Sequence, residues 1–335
     1  MNQNDCFDRV YGSLIGQAVG DALGAPTEGM SVSEIADTYG WIEDFVSDDP
    51  AGTDDTEYAM LTAQIMLKYG HDLSGEHMMK EWNEALVGQQ GGFFGGGFSE
   101  MNGIGNLKKG LVYPHTGSDN HERWSDGAAM RIAPVGLYCL GDPAEAARLA
   151  QIEAQISHAR DGVYCAQAIA ASVACAGVSE GGDWQRVIEA GMDHVPRDSW
   201  TYRKIHGAVE IGLRHTDIKS AIVELHDAVS IFYYPWADVG PEATALAYGV
   251  FAAARGAYVP AVLGGVNVGR DSDTIAAMAG AMAGALHGAE AVPARWRQQI
   301  NIIKGHCIHA TAGIDIMALA RQLSERIAGG VQHGA

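Results

Sequence analysis

The stretch DRVYGSLIGQAVGDAL, residues 8–23, places Val10, Leu14, Ile15 and Val19 on a single stripe. That spacing is the period of an amphipathic α-helix. Similar Ala-, Leu- and Met-rich stretches recur along the chain, and alternating β-type runs are nearly absent. The pattern predicts helices near 8–24, 56–69, 76–87, 128–140, 143–156, 161–177, 202–213, 217–226, 242–254, 274–287, 294–303 and 313–326. In TIAAMAGAMAGALHGA (274–289), Ala276, Gly280, Ala283, Gly284 and Ala285 allow neighbouring helix backbones to approach closely. No Pro/Ser-rich linker or charge block divides the chain, so the expectation is one all-α domain over 1–327 with a frayed tail at 328–335.

Bulk properties narrow the functional classes. Of 335 residues, 47% are hydrophobic and 19% charged, ordinary for a globular protein. The charge is not ordinary: 41 acids against 22 Lys plus Arg give a formal net charge of -19. Such a surface repels nucleic acid and anionic membranes, so neither is an expected partner. It suits cations, and an acidic pocket needs a metal before an anion can approach. The cysteines at 6, 139, 165, 175 and 307 are odd in number and scattered, which favours free thiols in a reducing compartment. The first ten residues carry acids and no apolar core, unlike a signal peptide. The apolar tract 243–269 contains Arg255 and Pro260 and reads as packed helices, not a membrane span. A soluble cytoplasmic protein is expected.

The chemistry gathers at two helix mouths. AGTDDTEYAM (51–60) sets Thr53, Asp54 and Asp55 before an apolar run, and Asp54 with Glu57 has the spacing of a capping box. Capping alone explains one such cluster. GRDSDTIAAMAG (269–280) repeats it, with Asp271, Asp273 and Thr274 opening a second helix after a Gly-rich loop. Capping needs one oxygen per helix, and three acids within a turn repel one another unless a cation lies between them. Carboxylate and hydroxyl oxygens suit Mg²⁺, Mn²⁺ or Ca²⁺. An EF-hand is excluded, because its sixth and twelfth positions counted from Asp271 are Ala276 and Met282. Motifs such as H-E-x-x-H, the P-loop, G-x-S-x-G and G-x-G-x-x-G do not occur.

The combination resembles the ADP-ribosylglycohydrolase family, which includes dinitrogenase reductase-activating glycohydrolase and the ADP-ribose hydrolases. GSLIGQAVGDALGAPTEG (12–29) is similar to the family's first helix and trailing glutamate. GTDDTEYAM and GRDSDTIAAMAGAMAGALHG resemble its two metal motifs, and WSDGAAMRIAPVGLY (124–138) its G-N-G-A-x-M-R segment. The resemblance covers nearly the whole chain. It implies a compact, orthogonal all-α bundle with a binuclear Mg²⁺ or Mn²⁺ centre. Thr53, Asp54, Asp55, Asp271, Asp273 and Thr274 would be the metal ligands, with Asp55 and Asp273 essential to catalysis. Glu28, matching the mobile glutamate, would act as general acid or base or position the substrate. The implied reaction is hydrolysis at C1 of a ribose, in ADP-ribosylated (arginine-linked) protein or a related ADP-ribosyl compound. A small ribosyl N-glycoside is the alternative substrate, and a non-catalytic crystallin-like relative the alternative function.

Substrate contacts stay open between readings. The loop GGFFGGGFSEMNGIGN (91–106), with Gly97, either cradles a phosphate or forms a lid. Ser125, Asp126 and Gly127 match the central segment, but Asp126 stands where the family often has asparagine and would disfavour a diphosphate. Arg270 stands where many members have glycine. His158, in ISHARDGVYCA, is either near substrate or a satisfied core histidine. Tyr233, Tyr234 and Trp236 either stack on a base or nicotinamide-like ring or pack in the core. Lys108 and Lys109 offer a phosphate contact or only a solvated surface.

Overall fold

The computed structural model describes residues 2–91 and 95–331. Among these residues it contains eighteen α-helices and no strand, in keeping with the all-α expectation. The bundle is organised around α1 (Gln3–Gly24), a helix apolar nearly all round from Val10 onward, as a helix enclosed by others must be. Leu14, Ile15 and Val19 are fully buried, each worth about 1.5–3 kcal/mol relative to exposure.

The remaining site-bearing helices are α2 (Asp54–Tyr69), α3 (Phe98–Lys108), α4 (Asp161–Ala176), α5 (Gly240–Ala253), α6 (Tyr258–Val268) and α7 (Ser272–His287). Helix α7 is buried from Ser272 to Leu286 and packs against α1, α4, α5 and α6. Its closest partner is α1, antiparallel to it. A Cβ at Gly12 would lie 2.5 Å from the Gly284 carbonyl oxygen, and one at Gly16 2.7 Å from that of Gly280. The seam continues through Gly20 against Ala276 to Gly24 against Asp273. Four-residue steps of small side chains thus run two helices backbone to backbone, and they deliver the mouth of α7 to the end of α1. Gly16→Val drives a branched side chain into the Gly280 carbonyl, so a loss of about 3 kcal/mol or failure to fold is expected in urea denaturation.

Several helices depart from their sequence reading. The segment 128–140 divides into Gly127–Met130 and Ala133–Tyr138, because Pro134 supplies no N–H and fits only a first turn. Val32–Tyr39 is a helix started by a Ser31–Glu34 capping box. Helix α3 covers much of the Gly-rich stretch read as loop, and residues 92–94 of that stretch lie outside the described residues. A final helix, Ile316–Val331, carries 328–331 of the expected tail, and 332–335 lie outside the described residues. All five cysteines are free and buried. No described helix is long and apolar enough to cross a membrane.

Candidate metal centre

Thr53 is the N-cap residue of α2, yet it makes no side-chain cap bond, and the capping role passes to another helix. Asp21, one turn before the end of α1, accepts the Thr53 N–H (2.8 Å) and the Thr56 N–H (3.0 Å). It also accepts the hydroxyls of Thr53 (2.8 Å) and Thr56. Two donors of the first turn are satisfied from outside; Asp54 accepts its own N–H, and Asp55 is free of capping. Glu57 does not complete a capping box either. Its carboxylate accepts the N–H groups of His306, Cys307 and Ile308 at 2.7, 2.9 and 2.5 Å and fastens that distant segment to α2.

The two acidic mouths meet. The Thr274 hydroxyl donates to Asp55 Oδ1 at 2.8 Å across 219 residues of sequence. Asp21, Asp55 and Asp273, all buried, each present an oxygen within 4.8 Å of the others. Burial, followed by repulsion from Asp273 and its neighbours, raises the Asp55 carboxyl well above the ordinary range. Burial raises Asp271 and Asp273 in the same way, with each repelling the other or Asp126. Burial pushes Asp21 to about 7 despite its hydrogen bonds. The Oδ1 of Asp273 is buried with no hydrogen-bond partner. A hard divalent cation relieves all of this, so the donor set is one that can hold a metal.

Asp55, Asp273 and Thr274 line a cavity of about 660 Å³, with Asp21 behind them. Glu28 stands at its rim, held by reciprocal bonds between flanking backbone and the second acidic helix mouth: Gly29 N–H to the Arg270 carbonyl and Arg270 N–H to the Met30 carbonyl, both 2.7 Å. Asp54, Asp271, Asp126, Gly97 and Trp236 also line the cavity. Ser125, Gly127 and His158 do not line it; they are fully buried behind its wall. His158 is clasped by the hydroxyls of Ser125 (2.9 Å) and Ser157 (2.8 Å), and burial lowers its pKa well below the usual value, leaving a neutral ring. Lys108 and Lys109 are exposed and not part of the lining.

Behind that wall Arg131 is fully buried between Glu100 (2.6 Å) and Glu153 (2.7 Å). One guanidinium cannot neutralise two carboxylates, and burial pushes Glu100 to about 7. Sequence reading missed Asp21, although it lies seven residues after Leu14 and so two turns along the same buried stripe. A carboxylate on an apolar stripe is the signal that would have found it.

The ADP-ribosylglycohydrolase family model matches residues 2–331. The chain belongs to the ADP-ribosylglycohydrolase family. An uncharacterised family relative from Archaeoglobus fulgidus is 32% identical over 298 residues, 84% of this chain and 88% of that protein. The ADP-ribosyl-[dinitrogen reductase] glycohydrolase of Rhodospirillum rubrum is 25% identical, covering 88% and 91%. A solved ADP-ribosylglycohydrolase-related protein complex shares the ADP-ribosylglycohydrolase fold with a TM-score of 0.63 at 22% identity, over 97% of this chain and 99% of that one.

Proposed function

We propose that this chain is a divalent-metal-dependent hydrolase acting at C1 of a ribosyl group, in an ADP-ribosylated substrate or a related ribosyl compound. The observation that carries the reading is the Thr274–Asp55 contact, which joins two acidic helix mouths on the lining of a cavity of about 660 Å³. Membership of the ADP-ribosylglycohydrolase family supports the reaction class.

Thr53, Asp54, Asp55, Asp271, Asp273 and Thr274 are the residues that would hold two Mg²⁺ or Mn²⁺ ions. Both threonine hydroxyls donate to carboxylates, so their lone pairs remain available as ligands. Bound there, divalent ions supply Lewis acidity and a positive charge for the ribose hydroxyls. Glu28, on the cavity lining, would take the proton of the attacking water. Asp21 holds the first metal loop in shape and is not itself among the cavity-lining residues.

Titrating Mg²⁺ or Mn²⁺ should raise the melting temperature in a concentration-dependent way, by about 2.7 kcal/mol of stabilisation at one hundred times Kd. A flat response to millimolar amounts of both ions sinks the metal assignment. Metal binding without release of sugar from ADP-ribosyl-arginine or from a riboside panel sinks the hydrolase reading in favour of the crystallin-like alternative.

A further inference from the structure

The cavity is divided in charge and chemistry beyond what the metal ligands require. Asp126 and Asp238 line it in addition to the acids at the two helix mouths, and among its described lining residues there is no Lys, Arg or His. Their proximity is built into the backbone. An isolated antiparallel bridge pairs Ser125 with Val239, and the Gly240 N–H donates to the Trp124 carbonyl at 3.0 Å. Asp126 is 2% exposed, and its Oδ2 has no hydrogen-bond partner. A buried, unpartnered carboxylate oxygen on the lining of a cavity points to a missing donor or cation.

Gly95, Gly96 and Gly97 line the same cavity, and the N–H groups of Gly96 and Phe98 are already directed at carboxylates. The Gly96 N–H donates to Asp54, and the Phe98 N–H points at Asp238 Oδ2 from 3.4 Å. Asp238 Oδ2 also lies 2.9 Å from where a Cβ on Gly97 would be. A phosphate approaching these N–H groups meets a carboxylate in its place. Beside Asp238 the wall is aromatic. Phe98 and Trp236 both line the cavity with ring centroids 5.9 Å apart, and Trp236 is 52% exposed. This wall is braced: Glu242 accepts the Ile231 N–H (2.5 Å) and Arg270 Nε (2.6 Å), and Arg270 Nη2 reaches the Trp236 carbonyl (3.4 Å). Arg270 is thereby engaged outside the cavity.

Resting on the ribosyl-hydrolase reading, we infer that this cavity selects a phosphate-free riboside whose leaving group is a planar heteroaromatic cation, received by Asp126 and Asp238 against Phe98 and Trp236. Carboxylates and aromatic faces both attract a flat cation, and the ring faces favour an aromatic one. The reaction balances without an added acid. The C1–N bond breaks with its electron pair going to the ring nitrogen, which leaves neutral. The water oxygen bonds to C1, and its proton passes to Glu28 and then to solvent.

The test uses the full chain with Mg²⁺ and four probes: N-ribosylnicotinamide, its 5′-monophosphate, inosine and ADP-ribosyl-arginine. Affinities are read by calorimetry and cleavage by product release. N-ribosylnicotinamide should bind at least tenfold tighter than inosine and at least tenfold tighter than its own 5′-phosphate. Asp238→Asn should narrow the second ratio about tenfold, and Trp236→Ala, at an exposed side chain, should narrow the first. Equal or tighter binding of the phosphate-bearing probes overturns the inference, as does either ratio unchanged in a folded variant. If the ranking holds but nothing is cleaved, the hydrolase reading fails and the cation subsite stands. Cleavage with the opposite ranking sinks the subsite and leaves the hydrolase reading intact.

Discussion

Asp55→Ala and Asp273→Asn are each expected to lower Mg²⁺-dependent hydrolysis by about 10³-fold or more, a loss of about 4 kcal/mol of transition-state stabilisation, with unchanged far-ultraviolet circular dichroism. Asp55 accepts Thr274 across the joint between the two helix mouths, and Asp273 carries an oxygen with no protein partner. The stability effect of Asp273→Asn should have the opposite sign. Without metal, the native state confines mutually repelling carboxyls in a buried cluster, so replacing one by a neutral isostere relieves repulsion. In EDTA the Asp273→Asn protein should therefore melt above the wild type, and in Mg²⁺ the order should reverse. Wild-type turnover by either variant would remove these residues from the proposed centre.

The second large effect is at Asp21, and its size should depend on the replacement. Asp21→Ala leaves the buried Thr56 N–H without an acceptor, at about 1–3 kcal/mol, removes the acceptor of the part-buried Thr53 N–H, and frees the first turn of α2 to shift. Loss of several kcal/mol in urea denaturation and loss of metal-induced stabilisation are expected together. Asp21→Asn keeps a carbonyl oxygen for those two donors but removes the charge. It should fold like the wild type and bind Mg²⁺ about tenfold or more weakly, with a correspondingly higher Mg²⁺ requirement for turnover. Equal Mg²⁺ affinity in Asn and wild-type proteins would make Asp21 a purely structural cap.

What sequence reading reached and what it missed follow from the same physics. Thr53–Asp55 and Asp271–Thr274 stand out because such crowding of acids exceeds what capping needs; Asp54, Asp55, Asp271, Asp273 and Thr274 line one cavity, and Thr53 does not. Asp21 did not stand out, because a single acid near a helix end has many bland explanations; only tertiary contact shows that it caps a different helix. Helix α3 was obscured by Gly103 and Gly105, which lower helix propensity. Gly103 is nevertheless used, since a Cβ there would come within 3.1 Å of Ser157. His158 was legible as a polar residue of interest, yet its neutral ring between two serines belongs to the support of the wall, with Arg131 and Glu100 below it. The Ser31–Glu34 capping box starts a helix of only eight residues, too short for an apolar period to mark it in the sequence.

The glycine seam between α1 and α7 also acts as a ruler. Because each helix bears on the other's main chain, neither can slide or rotate to absorb a change in length. One residue inserted between Gly16 and Gly20 would turn Asp21 by about 100° and advance it by about 1.5 Å, swinging its carboxylate out of reach of Thr53. The same insertion at residues 43–50, between helices, leaves that alignment untouched. Length variation compatible with a working centre is thus confined to the connections, and the facing spans of the two helices, from Gly12 to Gly24 and from Asp273 to Gly284, are fixed by the geometry they must keep.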